Sequence, residues 1–325
     1  MERYIGLDPH GRSCTFGVIG PSGRKLRHGS PPARRRWMEE GTQSAWLYEI
    51  LSPHVEEIVV AGIGESRGQK SDRLDAFQRA EELRTGTIKK PVFKAPRLYG
   101  RLRELGRVHS MLVRDVVRVQ ARLKATYRAR GVGTPGKSVY GPRVREQWLR
   151  QLPVSARWAT EKLHEEYDRL LELKREAERE LVAESRKHRV SRILFTAPGL
   201  GPIRVARLLP IVVTPHRFRT RRQFWAYCGL GIVMRSSSDW VQTPNGGWIR
   251  AQVARTRGLN RNHNSNLKNI FKTAATTVVT RLPTDPLYKH YVQLTSAGTK
   301  PNLAKLTIAR QIAAIVLRMW KDEEE

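Results

Sequence analysis

Asp72 and Asp75, in the motif KSDRLDAF, have the spacing in this chain that most directly suggests chemistry. On a helix, a separation of three puts both carboxylates on one face, about 5–6 Å apart at Cβ. Two carboxylates held that way repel each other unless a cation lies between them, so the pair is a candidate divalent-metal site. The same motif beside Lys70 and Arg73 is also a common inert pattern on a solvated helix. Asp8 strengthens the metal reading, because it follows the apolar run Tyr4-Ile5-Gly6-Leu7 and so stands at a strand end. Its plainer role is to form a turn before Pro9. A fourth carboxylate is offered by Glu39 or Glu40 in WMEEGTQSAWLYEIL, where the plainer role is to offset the dipole of the following helix.

A strand-end carboxylate combined with a carboxylate pair on a later helix is the arrangement by which RNase H-like nucleases hold Mg2+ against a scissile phosphate. A candidate nucleophile lies far downstream, where Ser236, Ser237 and Ser238 follow Arg235. Hydroxyls beside arginine in a basic region stand where phosphates dock, but a hydroxyl needs a base or a metal to attack phosphorus. Without such help a serine-rich stretch is a polar turn.

Around these serines the chain is laid out for polyanions. PGLGPIRVARLLP, with Arg204 and Arg207, has two glycines framing a turn before an apolar helix, as in helix-hairpin-helix elements that hold a phosphate on exposed amides. RFRTRRQFWAYCGLG adds Arg219, Arg221 and Arg222. Further on, Arg255, Arg257, Asn260, Arg261 and Asn262 lead through His263 and Asn264 to Lys268 and Lys272, a set suited to phosphate and sugar contacts with Asn amides for base edges. GIGESRG, Gly62 to Gly68, lacks the following Lys-Ser/Thr of a nucleotide loop and reads as a plain loop.

Composition agrees. Sixty Lys and Arg against 30 Asp and Glu give a formal net charge of +30 over 325 residues, and from Ser185 to Thr284 eighteen basic residues face one acid, Asp239. Such a surface binds nucleic acid through phosphate neutralisation and counterion release. Eight Trp, nine Tyr and many periodic apolar segments indicate folded domains instead of a basic tail. Cys14 and Cys228 are far apart and form no zinc or disulfide pattern. The N-terminus has no apolar signal core and the run Ile312 to Leu317 is too short to span a bilayer, so a cytoplasmic, nucleoid-associated protein without membrane contact is expected.

Positioning the carboxylates requires an α/β domain. Strands are predicted at Tyr4–Leu7, Cys14–Ile19 and Ile58–Ala61, and helices at Ser44–Leu51 and Ser71–Arg84. Apolar residues at three-to-four spacing then predict two long helices, about Glu104 to Arg130 and Val154 to Lys187, joined by the Gly/Pro-rich segment Gly131 to Pro142 as an antiparallel arm. An ordinary helical bundle within one domain has the same pattern. Downstream, helices are expected at Ile203–Leu209, Arg221–Cys228, Asn266–Val279 and Asn302–Trp320.

These motifs, in this order along nearly the whole chain, resemble the DEDD-type insertion-sequence transposases, the bridge-RNA-guided recombinases. The matching stretches are GLD at Asp8, EEGTQSAWLYEIL, KSDRLDAFQRAEELR, PGLGPIRVARLL, RFRTRRQFWAYCGLG with RSSSDW, TRGLNRNHNSNLKNIFKTAA and KLTIARQIAAIVLRMWK. The resemblance implies an α/β RNase H-like (RuvC-like) domain over 1–95, a helical coiled-coil arm over 96–188 and a mainly α transposase domain over 189–325. It makes Asp8, Glu39, Asp72 and Asp75 the Mg2+-binding tetrad and Ser237 the serine that forms a covalent link to DNA. Glu40 is the alternative to Glu39, and Ser236 and Ser238 are the alternatives to Ser237. It further implies donor and target DNA, a guide (bridge) RNA, and a homo-oligomer of dimers paired into a tetramer. The segment from Gly20 to Trp37 is short and rich in Arg and Pro for the third strand, helix and fourth strand that the family places there. A RuvC-like junction nuclease using water, a non-catalytic nucleic-acid binder and a ribosomal or RNA-packaging protein would share the charge.

Overall fold

The alternating run YIGL is buried on both sides of the chain, which requires layers above and below it. The computed structural model describes residues 3–9, 14–26, 35–41, 43–62, 72–88, 91–92, 97–234, 240–250 and 256–323. For Asp8, Glu39 and Asp72 it describes the backbone alone. The chain divides into two units, Met1–Leu98 and Tyr99–Glu325.

In the first unit the strands are β1 (Tyr4–Pro9), β2 (Cys14–Ile19), β3 (Lys25–Leu26), β4 (Arg35–Glu39), β5 (Glu57–Ala61) and β6 (Pro91–Val92), with helices α1 (Ser44–Leu51) and α2 (Asp72–Thr85). They form one sheet in the order β3-β2-β1-β4-β5-β6. β1 runs antiparallel to β2 and parallel to β4, β4 is parallel to β5, and β6 is antiparallel. Ile5, Leu7, Val18, Met38 and Val60 pack under Leu47, Tyr48 and Leu51 of α1. Tyr4, Ile19 and Ala61 pack under Ala80 and Leu83 of α2 on the opposite face. β3 and β4 therefore do form within the short segment 20–39, where the sequence shows no strand.

α2 lies against bare backbone. Gly6 and Gly17 are partners across β1 and β2. A Cβ on Gly6 would stand 2.0 Å from the Ala76 carbonyl oxygen, and one on Gly17 would stand 2.8 Å from the Phe77 nitrogen.

In the second unit α3 (Gly100–Arg128) and α5 (Val154–Arg186) form an antiparallel pair with α4 (Arg145–Arg150) bracing their far end. The expected antiparallel helix pair forms, and it packs on the helix Pro202–Val212 within the same unit. Its direction is fixed by cross-contacts: Arg101 with Glu184 at 3.4 Å, His109 with Glu178 at 3.3 Å, and Gln120 with Tyr167 at 3.2 Å. Val116, Val119, Leu123 and Tyr167 fill the seam, and Tyr127, Val139, Leu149, Leu152 and Ala156 fill the tip. The rest comprises α6 (Arg189–Phe195), α7 (Pro202–Val212), α8 (Arg221–Tyr227), α9 (Ser265–Arg281), α10 (Pro286–Ser296) and α11 (Pro301–Asp322). Two ribbons lie between α8 and α9: β7 (Ile232–Met234) pairs with β10 (Thr256–Leu259), and β8 (Trp240–Gln242) pairs with β9 (Trp248–Arg250). Small residues let α9 and α11 approach, with Ala274, Ala275, Ala304, Ala309 and Ala313 all fully buried. Among the described residues no helix is long and apolar enough to cross a membrane.

Two outcomes follow from this packing. Gly6→Val should cost the first unit about 1–3 kcal/mol, because α2 must lift off the sheet; an unchanged thermal midpoint would remove the close-approach argument. In the arm, His164 is fully buried and neither ring nitrogen has a hydrogen-bond partner among the described residues. Burial, aided by the Arg145 charge, pushes its pKa from 6.5 down to about 4. The unfolded chain then takes up the proton first, so stability should fall as pH drops from about 6.5 toward 4, by up to roughly 3 kcal/mol. Urea titrations of His164→Leu should show that slope flattened.

Candidate functional site

The parallel pairing of β1 with β4 runs in register from Tyr4 opposite Arg35 to Leu7 opposite Met38. One residue further along each strand stand Asp8 and Glu39, so their backbones end side by side at the same edge of the sheet. Glu40 lies beyond the strand, exposed, and donates its N–H to the Ala61 carbonyl at 2.8 Å. Neither acid belongs to the first turn of α1, which begins at Ser44 and has no acidic residue there. The helix-dipole role considered for this pair is therefore not what the fold uses.

α2 brings the other two acids to the same edge. Its Ala80 and Leu83 pack with Tyr4 at the beginning of β1, whereas Ala76 covers Gly6, nearer the end of β1. The helix thus runs antiparallel to β1, and its first turn, with Asp72 and Asp75, lies toward the edge that carries Asp8 and Glu39. Asp75 is half-buried. Carboxylates in a first turn also offset the helix dipole. Carboxylates are hard oxygen donors, the chemistry that Mg2+ takes. Among the described residues there is no group of three or more His, Cys, Asp or Glu side chains able to hold a metal. The side chains of Asp8, Glu39 and Asp72 lie outside that description.

Ser236, Ser237 and Ser238, with Arg235, fall between β7 and β8 and lie outside the described residues, as does Arg255. Arg257 belongs to β10, with its backbone alone described.

The remaining basic residues separate into two kinds. Arg204 is drawn inward: it donates to the Gly199 carbonyl at 2.8 Å and to Thr273 Oγ1 at 3.1 Å. Burial holds its pKa below the usual arginine range. Gly199 has φ +71°, and a Cβ there would stand 2.4 Å from the Ala274 carbonyl oxygen, so this glycine serves the packing of the hairpin on α9. Arg207 faces Asn266 Oδ1 at 3.3 Å, and burial lowers its pKa too. By contrast Arg219, Arg221 and Arg222 are exposed at the start of α8, with Arg221 over the Trp225 ring at 5.6 Å. Arg261, Asn262 and Lys272 are exposed, and Lys268 is half-buried.

Asn260 spends its amide within the protein, donating to the carbonyls of Ala226 and Asn262 and accepting from the Asn262 N–H. Asn264 caps α9 by accepting from the Leu267 N–H at 3.1 Å. His263 covers Gly229, which has φ +67° and where a Cβ would stand 2.4 Å from the imidazole. The sequence reading passed over Arg103, Arg107 and Arg114 on α3. Their spacing of four and seven marks one helix face, a signal masked by the stronger apolar periodicity of the same helix.

Residues 191–293, from α6 into α10, match the family model described as Transposase IS116/IS110/IS902 family. Over that stretch the chain is similar to a DNA transposase. No curated protein matches the chain.

The two kinds of basic residue should separate on substitution. Arg204→Ala removes two charge-assisted hydrogen bonds and should cost about 1.5–3 kcal/mol of stability. Lys272→Ala should leave the stability within about 0.5 kcal/mol of the parent. It should nevertheless reduce the salt dependence of nucleic-acid binding by about one unit of slope. Thermal denaturation together with binding titrations at several salt concentrations checks both.

Proposed function

We propose that this chain is a DNA strand-transfer enzyme that cuts and rejoins DNA through a covalent phosphoserine link. The observation that carries the reading is the in-register parallel pairing of β1 with β4, with α2 antiparallel above it, which supports a shared site for the four acids whose backbone positions lie at that end of the sheet. The strand order β3-β2-β1-β4-β5, with β2 antiparallel to the central β1, supports an RNase H-like domain. The transposase match over 191–293 supports the same direction from the other unit.

In this reading Asp8, Glu39, Asp72 and Asp75 hold Mg2+. Bound there, the ion offsets phosphate charge and makes a hydroxyl a more competent nucleophile. Ser237 supplies that hydroxyl. As its oxygen bonds to phosphorus it loses its proton, the bridging oxygen of one DNA strand leaves, and that oxygen gains a proton. The phosphoserine ester conserves the energy of the broken bond, so a strand-end hydroxyl can displace the serine without an external energy source. The arginines flanking α8 and the basic turn before α9 hold DNA through its phosphates. The same charge accepts a guide RNA, which would choose the sites by base pairing. Assembly into dimers and a tetramer would bring serine and carboxylates from different copies together.

The test uses labelled DNA carrying the junction of the encoding element, supplied with the element's RNA and Mg2+. A detergent-stable, protease-sensitive protein–DNA adduct is expected, lost in Ser237→Ala. Asp8→Asn and Asp72→Asn should lower its rate by about 100-fold or more, a loss of roughly 2.7 kcal/mol or more of transition-state stabilisation. Cleavage by Ser237→Ala with no adduct would replace this reading with a water-using nuclease. An adduct mapped to Ser236 or Ser238 would move the nucleophile by one residue.

A further inference from the structure

Beside the contact of α3 with α7, the second unit has a cavity of about 720 Å³ to which the catalytic reading gives no role. Arg103, Arg107 and Arg114 line it from the arm, and Arg207 lines it from α7. Asn266 and Asn269 of α9 stand among them, Met111 and Tyr227 contribute apolar and aromatic wall, and among the described residues no Asp or Glu lines the space.

The charges in this seam are poorly compensated. Arg107 has Glu104 at 2.7 Å on the exposed surface. Arg103, Arg114 and Arg207 have no carboxylate partner among the described residues. One guanidinium nitrogen of Arg103 is buried with no hydrogen-bond partner there, and Arg207 has only the long contact to Asn266. Glu178, across from the buried His109, is already held by Lys174 at 2.6 Å. A desolvated guanidinium without a counter-charge is costly, and its geometry suits a phosphate oxygen pair.

The volume lies within the roughly 300–1,000 Å³ of pockets that enclose a small ligand, which suits a nucleotide unit and not a duplex. The Tyr227 ring, which also carries the Arg217 guanidinium at 4.8 Å, and the Met111 thioether provide beside two cations a surface on which a base can lie, and the Asn amides can reach its edge. The geometry points to this seam as a binding site for a single-stranded stretch of nucleic acid, one or two nucleotides long, with phosphate at Arg103 and Arg207 and a base against Tyr227 and Met111. The inference rests on the nucleic-acid side of the proposed function and needs neither the serine nor the metal. A strand held there touches the arm and the C-terminal helices at once, so its binding would tie the two together.

The full chain is titrated with labelled oligo(dT), oligo(U) and a duplex of equal length at several salt concentrations. The double variant Arg103→Ala/Arg207→Ala should lose about tenfold or more in single-strand affinity and about two units of salt slope. Duplex binding, carried by the exposed cations elsewhere, should change less than about twofold. Tyr227→Leu should weaken single-strand binding about tenfold with the slope intact, as loss of stacking requires. If the double variant does not fold, Arg114→Ala on the exposed end of the same stripe should remove about one unit of slope. Loss confined to oligo(U) or to oligo(dT) would identify RNA or DNA as the occupant, and equal loss would mark a site for either strand. Folded variants with unchanged single-strand affinity and slope, or a duplex weakened as much as the single strands, would overturn the inference. Ser237→Ala should leave all these affinities intact, so failure of the covalent chemistry and failure of this site appear in different assays.

Discussion

Gly6 and Gly17 face each other across β1 and β2, and neither has a side chain to hold α2 away from the sheet. The helix backbone at Ala76 and Phe77 settles directly on the strand backbone, and the apolar contacts of Ala80 and Leu83 with Tyr4 and Ile19 set its direction. That descent sets where the first turn of α2 begins and therefore where Asp72 and Asp75 enter. A methyl group on either strand would push the helix outward, and its carboxylates would move away from the strand ends of β1 and β4. The geometry proposed for metal binding is thus a consequence of what is missing from two side chains.

A different constraint governs the second unit, where positive charge is packed with almost no acid in the stretch from Ser185 to Thr284. The fold handles three of its inward-facing cations with carbonyls and rings. Arg204 is satisfied by the Gly199 carbonyl, Arg310 by the Leu230 carbonyl, and Arg217 lies over the rings of Phe218 and Tyr227 at 5.0 and 4.8 Å. Using carboxylates for the same task would have cancelled the field that attracts phosphates. Carbonyl dipoles and aromatic faces settle these guanidinium groups while leaving the net charge in place.

The long helices and the apolar strands β1, β2 and β5 were legible because their residues repeat at helical or strand periods. β4 was not, since Arg35-Arg36-Trp37-Met38-Glu39 has no alternation that reads as a strand; its pairing with β1 and β5 on both sides makes it one. The position of Glu39 was consequently obtainable from family resemblance but not from local pattern. β3, two residues long, and the ribbons β7 to β10 are too short to have a period. Asn260 and Asn264 show a further limit: an amide suits a base edge and a backbone turn equally, and only the folded chain reveals both occupied with the turn. The arginine stripe of α3 was hidden under the apolar period of the same helix, and its significance depends on α7 and α9 arriving opposite, which no local reading supplies.

The turn between β10 and α9 is fastened at both ends. Its Asn260 side chain holds the Ala226 carbonyl, the Asn264 N–H donates to the Tyr227 carbonyl, and the Asn264 amide closes the first turn of α9. Arg261, Asn262 and the lysines that follow are therefore displayed from a framework that has already surrendered its backbone freedom. A polyanion meeting this corner orders only side chains, so little of the attraction is spent on arranging the host.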